Sequence, residues 1–376
     1  MGKFGKKNVI DLNPLSYNIL LAGVGGIGKT TISKEICEKL VGDDGYIHFN
    51  IGRESGIDAI SNIVNEDIED WAKLKEVVDD IIDNKDSDYP NLKVVVWDSL
   101  DELIVMGEKE TIRQYNKKNP DKKADSINSA FGGFGRGLDY NINMILDIMW
   151  ELKKVGVQSF IIAHTKKSDI VDVMTQQTYS QLTADAQQRY FNAIKNKMDI
   201  VAMAYVSRDI VTENTKRKNV VTGETVKVNK IADEARVIVF RDDSYAVDSK
   251  CRFADIEGQI PFDADEFISA IQNAILAEQK KSGETLAAAK KNQVKKDDAA
   301  AKAASEYSKS HRENVIDPER NEELKSVIVA AVSDENKAEL KRLLKENGIA
   351  NLKNVSTIPT ETLEKIVRDF ADSIEE

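Results

Sequence analysis

Short apolar runs alternate with longer amphipathic stretches along the first two thirds of the chain. The runs have the length of single strands, and β-branched residues dominate the run at 91–97. They cover residues 17–22, 46–51, 91–97, 157–163 and 198–206. Between them, apolar residues recur at helical spacing, which predicts helices over 30–40, 57–83 and 138–154. This alternation predicts an α/β fold with a mainly parallel central sheet flanked by helices.

Beyond residue 206 the pattern changes from alternating elements to a hairpin. Two β-branched runs, 210–213 and 226–228, flank a basic segment and a turn at 222–224, which predicts two antiparallel strands. A further strand is predicted over 236–241.

The last third of the chain is predicted to be helical. A helix is expected over 265–281, whereas 283–311 is rich in Ala, Lys, Asp and Ser, which indicates a linker or a solvated single helix rather than core. Apolar residues recur again from Leu324, Val327 and Ile328 onward, and the chain ends in an acidic stretch from Asp369. The predicted units are a polar leader (1–16), an α/β core (17–265), a helix with a charged linker (266–317) and a small helical domain with an acidic tail (318–376).

The loop after the first predicted strand carries the phosphate-binding pattern G-x-x-x-x-G-K-[ST], the P-loop. Its glycines let backbone N–H groups converge on phosphate oxygens, and the helix that follows points its positive end at the anion. Lys29 would supply a cation to the β- and γ-phosphates, and Thr30 a hydroxyl to Mg²⁺. The predicted nucleotide-binding residues are Gly23, Val24, Gly25, Gly26, Ile27, Gly28, Lys29, Thr30 and Thr31.

Polar residues follow the second, third and fourth strands of this predicted sheet. Asp98 follows the run 91–97 and, as a carboxylate beside a P-loop, is predicted to join Thr30 in holding Mg²⁺. Glu54 follows the second strand and is a candidate to activate water, with Asp101 and Glu102 as rivals and an exposed loop position as the alternative. His164 ends the fourth strand and either senses the γ-phosphate or is structural. The predicted catalytic residues are Lys29, Glu54 and His164.

Composition and charge restrict the compartment and the partners expected for the protein, and they leave the predicted fold and site unchanged. The 376 residues are 41% hydrophobic and 31% charged, and no apolar run approaches the roughly 18 residues that span a bilayer. No signal peptide is apparent, and two cysteines fit a reducing cytoplasm. The net charge of −11 argues against nonspecific coating of DNA but allows a local basic groove. In 166–197, basic and aromatic side chains interleave, so this segment either binds single-stranded nucleic acid or forms a solvated loop and helix.

With these residues placed, about residues 15–265 resemble the RecA-like P-loop ATPases, and most closely the phage-encoded members linked to single-strand annealing and recombination. The pair Asp98-Ser99 differs from the Asp-Glu pair usual in the AAA+ class. The second-strand loop reads Gly-Arg-Glu-Ser-Gly rather than Asp-Thr-Glu-Gly-Gly, and the helical C-terminal domain lies outside the family pattern. The residues that carry the resemblance are Glu54, Asp98, Ser99, Leu100, Ala163, His164, Lys250, Arg252 and Pro261.

This resemblance implies ATP and Mg²⁺ as cofactors and ATP hydrolysis as the activity. It also implies binding of single-stranded DNA and self-association into a ring or filament, in which Lys250 and Arg252 reach the ATP of a neighbouring subunit; the alternative is a surface charge pair. Location in the cytoplasm of a phage-infected bacterium is expected. Two other hypotheses stay open: a P-loop switch or assembly ATPase that acts on protein partners through the C-terminal domain, and a nucleotide-binding module with little turnover.

Overall fold

The computed structural model describes residues 9–54, 56–172, 174–218, 225–242, 246–281, 283, 286–314, 316–333 and 336–375, which form ten strands and ten α-helices. The strands are β1 (Ile19–Gly23), β2 (Tyr46–Ile51), β3 (Asn65–Ile68), β4 (Val94–Asp98), β5 (Gln158–Val171), β6 (Thr178–Ala184), β7 (Ile200–Lys218), β8 (Thr225–Val239), β9 (Lys250–Cys251) and β10 (Gln259–Pro261). The helices are α1 (Lys29–Val41), α2 (Trp71–Asp83), α3 (Leu100–Lys118), α4 (Arg136–Lys154), α5 (Gln188–Lys197), α6 (Ala264–Lys281), α7 (Leu286–Asn314), α8 (Pro318–Ala331), α9 (Lys337–Glu346) and α10 (Thr360–Glu375).

The strands form one sheet in the order β10-β8-β7-β1-β5-β4-β2-β3, with β6 paired to β5 and β9 to β7. The pairs from β7 to β3 are parallel, and β8, β10, β6 and β9 add antiparallel pairs at the margins. The predicted α/β class with a mainly parallel sheet is therefore confirmed. Gly23 pairs with His164 and Asp98 pairs with Ile162, so the polar strand ends meet at one edge of the sheet.

Helices cover both faces of the central strands, which explains why those strands are uninterrupted apolar runs. Leu20 and Val95 face one hydrophobic cluster, which α2, α3, α4 and α5 complete. Leu21 and Val94 face a second cluster, completed by α1 and α6. Leu15, in the predicted polar leader, is buried in this second cluster.

The predicted single helix over 57–83 is wrong in its first half. A short 3-10 turn at Gly56–Ala59 leads into β3, and α2 begins only at Trp71. The side chain of Asp70 caps α2 by accepting a hydrogen bond from Lys73 N at 2.8 Å. In β3 only Ile68 is buried, so the strand lacks an alternating signal and is specified by its pairing with β2.

Two β-ribbons extend from the sheet beyond the predicted strand ends. β5 continues to Val171 and pairs with β6, where the sequence predicted a strand ending at residue 163 and then a loop. β7 and β8 form the predicted hairpin, but the run at 236–241 is largely the end of β8 rather than a separate strand. The predicted turn at 222–224 lies outside the described residues.

Within the segment 283–311, predicted to be a linker or a solvated helix, residues 286–311 belong to α7, which packs on the core. On α7, Ala304 joins the first hydrophobic cluster and Ser308 is fully buried. His311 Nδ1 lies 2.8 Å from Asp83 Oδ1 of α2. The small side chains at positions 304 and 308 allow this close approach, which a count of large apolar residues does not detect.

The last three helices pack around Ile328, Leu343 and Phe370. Val327, part of the predicted apolar periodicity, is 53% exposed. The acidic stretch from Asp369 lies within α10, which continues to Glu375. Over the ranges given above, no helix is both long enough and apolar enough to cross a bilayer.

Candidate nucleotide-binding site

The P-loop leaves β1 at a point where a side chain would be crowded. A Cβ atom added to Gly23 would lie 3.0 Å from the carbonyl oxygen of Ala204 on β7 and 3.2 Å from Ile27 Cγ2. Gly26 and Gly28 have φ angles of 75° and 107°, a region that glycine adopts without strain. A Cβ added to Gly26 would meet nothing within 4 Å, so the loop opens in front of the N-terminus of α1.

Lys29 lies beneath this loop with its amino group directed at the loop backbone. Its Nζ donates to the carbonyl oxygens of Gly23 at 3.0 Å and Val24 at 3.2 Å, and the residue is only 6% exposed. Burial lowers the pKa of Lys29, and the negative charges of Asp98, Glu54 and Asp101 oppose that shift. The ammonium therefore lies within electrostatic reach of all three carboxylates.

Asp98 is held by two neighbours at the end of β4. Thr30 Oγ1 donates to Asp98 Oδ2 at 2.7 Å, and His48 Nε2 lies 3.1 Å from the same oxygen. Asp98 is 2% exposed and His48 is fully buried. His48 was not predicted; the available signal was a histidine in an otherwise apolar strand, β2, which pairs directly with β4.

Two further carboxylates, Glu54 and Glu102, lie beside the loop that follows β2. A Cβ added to Gly56 would lie 3.4 Å from Thr30 Oγ1 and 3.6 Å from Glu54 Oε1, so the Glu54 carboxylate and the Thr30 hydroxyl approach the same point. Glu102 of α3 lies over Gly52, where an added Cβ would be 2.5 Å from Glu102 Oε2.

His164, in the middle of β5, forms a pair with Asp101, in the first turn of α3. The His164 Nδ1 atom lies 3.1 Å from Asp101 Oδ2, and about a third of each side chain is exposed. The hydrogen bond to Asp101 raises the pKa of His164; burial and Lys29 oppose the shift, and Glu54 adds to it. Burial alone would raise the pKa of Asp101, but the bond and the charge of His164 outweigh it and lower that pKa.

A cavity of about 390 Å³ lies between the P-loop and the base of the β7–β8 ribbon. Its ribbon wall carries Arg208, Glu234 and Arg236. Arg208 Nε lies 3.2 Å from Glu234 Oε2, and Arg236 Nη1 donates to the carbonyl oxygen of Ile27 at 3.4 Å. These residues were missed because they lie in regular strands; their alternate spacing, which places them on one face, was the only signal.

Lys250 and Arg252 are not brought to this site within one subunit. Lys250 Nζ donates to the carbonyl oxygens of Lys195 at 2.9 Å and Met198 at 2.8 Å, at the end of α5. Arg252 Nε lies 3.0 Å from Asp199 Oδ1. β9 pairs with the first residues of β7, at the opposite end of β1 from the P-loop. Five residues of strand separate the two ends, a distance of about 13 Å.

The residues present fit a nucleoside triphosphate with Mg²⁺. The P-loop presents an open cradle at a helix N-terminus, which is a site for anionic phosphate. Lys29 lies beneath it, and the oxygen donors that Mg²⁺ prefers are present in the Thr30–Asp98 pair. The same edge carries Glu54 and His164.

A family model described as an AAA domain matches residues 15–247 of the chain. No curated protein matches it. The matched span contains the P-loop, Asp98 and the His164–Asp101 pair, and it covers more than half of the 376 residues. The chain therefore belongs to this AAA-domain family of P-loop ATPases.

Proposed function

We propose that the protein is a Mg²⁺-dependent, RecA-like ATPase that binds single-stranded DNA as an oligomer and acts in DNA recombination or single-strand annealing. Its setting would be the cytoplasm of a phage-infected bacterium. The observation that carries the proposal is the convergence of Lys29, Thr30, Asp98, His164 and Glu54 at one sheet edge. Phosphoryl transfer needs compensation of phosphate charge and an oriented water, and these groups supply both.

Each of these side chains has one role in the proposed hydrolysis. Thr30 and Asp98 would hold Mg²⁺, which when bound neutralises phosphate charge. Lys29 neutralises the β- and γ-phosphates. Glu54 orients the attacking water and accepts its proton, because Asp101 is bonded to His164 and Glu102 is directed at the loop backbone around Gly52.

His164 is proposed to report the state of the γ-phosphate to the β5–β6 ribbon. It pairs with Gly23 across the sheet and is the last core residue before β5 leaves as a ribbon. A γ-phosphate would compete with Asp101 for the imidazole, and the loss of that hydrogen bond would release the start of α3.

In an oligomer, Lys250 and Arg252 are proposed to act on the ATP of a neighbouring subunit. Arg252 is 56% exposed and only ion-paired with Asp199, so it is free to exchange partners at a subunit boundary. ATPase activity per subunit should then rise with protein concentration and fall in Arg252→Ala. Activity that is independent of concentration and unchanged in that variant would contradict the role.

The DNA function is tested by fluorescence anisotropy of a labelled oligothymidylate, with and without ATP and Mg²⁺, over a salt titration. We expect salt-dependent binding whose affinity changes with ATP, and loss of the ATP effect in Lys29→Ala. Absence of binding at low salt would remove the DNA function. Binding without phosphate release would leave a nucleotide-binding module with little turnover.

A second candidate function is a switch or assembly ATPase that acts on a protein partner through the C-terminal helices. The observation that favours it is the exposure of two apolar side chains on α8, Val327 at 53% and Val329 at 62%. In this case Val327→Glu and Val329→Glu would abolish partner capture and leave DNA binding unchanged. A loss of DNA binding in these variants would speak against it.

A further inference from the structure

The loop that joins α3 to α4 presents an exposed aromatic side chain. Phe134 is 97% exposed and stands between Gly133 and Gly135. An aromatic ring that gains nothing from the core in the isolated subunit is available to a ligand.

The backbone of this loop is held in an unusual conformation. Residues 131–135 all have positive φ angles, from 54° at Phe134 to 85° at Gly132. Glycine adopts such angles readily, but phenylalanine does so at a cost in conformational energy. Two phenylalanines in this region therefore need surrounding contacts that fix the chain.

Those contacts anchor Phe131 and leave Phe134 outside. The ring of Phe131 stacks on Tyr140 with centroids 4.6 Å apart and lies 5.2 Å from the ring of Tyr115. Ala130 is fully buried beside it. The loop thus has a fixed base, and the exposure of Phe134 is a consequence of the way that base is packed.

The segment that contains Phe134 carries a net positive charge, although the chain as a whole carries a net charge of −11. Between 117 and 136 there are five cationic side chains and two carboxylates, Asp121 and Asp125. Among the residues that the structure describes, none of the five cations forms an ion pair, and all are exposed. They are Lys117, Lys118, Lys122, Lys123 and Arg136.

The segment 166–197, for which the sequence left nucleic-acid binding and a solvated loop and helix as alternatives, differs in this respect. Lys166 lies 3.3 Å from Asp185, and Lys167 lies 3.9 Å from Asp169. The remaining paired cations of that segment are Arg189 with Asp139 and Lys195 with Asp248. A cation that already has a carboxylate partner contributes less to binding phosphate than an unpaired one, so the observations favour the loop 117–136.

The loop is linked to the nucleotide site through the two helices that it joins, α3 and α4. α3 begins directly after Asp98, and Asn141 of α4 donates to the carbonyl oxygen of Ile104 in the second turn of α3 at 3.1 Å. Asn141 also donates to the Tyr190 hydroxyl of α5 at 2.9 Å, and Tyr190 donates to Glu108 at 3.0 Å. This buried network ties the first turns of α3, whose Asp101 bonds His164, to the helix that begins at the loop.

We propose that residues 117–136 form a binding loop for single-stranded nucleic acid, in which Phe134 stacks on a base and the five cations contact phosphates. The inference rests on the proposed DNA function and assigns its contact surface. Stacking on an aromatic ring is tolerant of sequence, and cations that follow the backbone supply salt-dependent affinity. This combination matches the chemistry of a single strand better than that of an apolar protein surface, which would not require five unpaired cations.

The test compares the affinity of full-length variants for a labelled oligothymidylate by fluorescence anisotropy. Phe134→Ala should weaken binding by roughly 5- to 150-fold, the range that loss of one stacked base corresponds to. Phe134→Trp should retain affinity. Met174→Ala is the matched control, because Met174 is 90% exposed on the β5–β6 ribbon and should not change binding. Lys122→Gln combined with Lys123→Gln should reduce the salt slope by about 1.4.

ATPase activity without DNA, measured on each variant, shows whether the site itself is intact. It should be unchanged in Phe134→Ala, because the side chain makes no core contact. If Phe134→Ala binds the oligonucleotide as tightly as the wild-type protein does, the inference is wrong and the proposed function is unaffected. Wild-type protein that does not bind at low salt overturns both. Loss of self-association in Phe134→Ala at unchanged DNA affinity assigns the loop to a protein contact and also overturns the inference.

Discussion

Replacement of His48 tests whether a buried histidine positions the carboxylate that would hold Mg²⁺. His48 Nε2 lies 3.1 Å from Asp98 Oδ2, and Thr30 Oγ1 donates to the same oxygen at 2.7 Å. His48→Leu removes one of these two contacts and places an apolar side chain of similar size in the fully buried position.

The expected magnitude follows from the loss of one hydrogen bond to a charged group. Such a bond contributes about 1.5–3 kcal/mol, so the free energy of unfolding should fall by about that amount. Residues that orient a metal ligand typically affect metal affinity by about 10- to 100-fold. Because Thr30 still holds Asp98, we expect the concentration of Mg²⁺ that gives half-maximal ATPase activity to rise by about tenfold.

The assay is ATPase activity over a Mg²⁺ titration, combined with urea unfolding of the same samples. His48→Gln, which can place a donor near the Nε2 position, should recover part of the Mg²⁺ affinity. Tyr46→Phe is the control on the same strand face, since its hydroxyl only accepts a long bond from Val64 N at 3.4 Å. If His48→Leu shifts the unfolding midpoint but leaves the Mg²⁺ dependence unchanged, the positioning role is refuted.

Three further perturbations address the loop, the His164 pair and the distant cations. Gly23→Ala should lower the free energy of unfolding, measured in urea, by about 1–3 kcal/mol, because the added Cβ would press on the β7 backbone. Gly25→Ala should change it by less than about 0.5 kcal/mol, because a Cβ there faces open space. The raised pKa of His164 stabilises the folded state fully at pH values below the pKa of an unfolded histidine, about 6.5, and this stabilisation is lost as the pH rises through the pKa in the folded state. Asp101→Asn should lower the pKa of His164 in the folded state, as measured by an NMR titration. Lys250→Met should destabilise the end of α5 by about 1–3 kcal/mol and leave binding of a fluorescent ATP analogue to dilute protein unchanged.

Each of these expectations has a contrary outcome. Equal stability of the two glycine variants would show that the close approach at Gly23 is not a constraint. A His164 pKa that does not move in Asp101→Asn would assign the shift to other charges. Loss of ATP binding by dilute Lys250→Met would place this residue in the site of its own subunit.

Local sequence predicted the elements whose residues carry their own signal. The P-loop needs glycines, a lysine and a threonine at fixed positions, so 23–30 was identified without reference to the rest of the chain. β1 and β4 were predicted because both of their faces are buried, and Asp98 was recognised because it ends such a run. The convergence of their ends at one edge follows from parallel pairing, which strand–helix alternation already implies.

Features that depend on a distant partner were not predictable in the same way. β3 exists because β2 offers unpaired backbone groups, and the outer half of β5 exists because β6 pairs with it. The docking of α7 depends on Ala304 and Ser308, residues that are equally common on solvated helices. His48 acquires its importance only from the proximity of Asp98, fifty positions away in the chain.

β7 pairs with β1 beside the P-loop and extends far beyond it. Ala204 pairs with Gly23, and β7 continues to Lys218, about 46 Å further along an extended strand. Arg236 bonds the base of this ribbon to the P-loop at Ile27. If the ribbon rotates about this base as a rigid unit, a rotation of about 5° moves its far end by about 4 Å. A molecule in contact with that end would be displaced by the same distance.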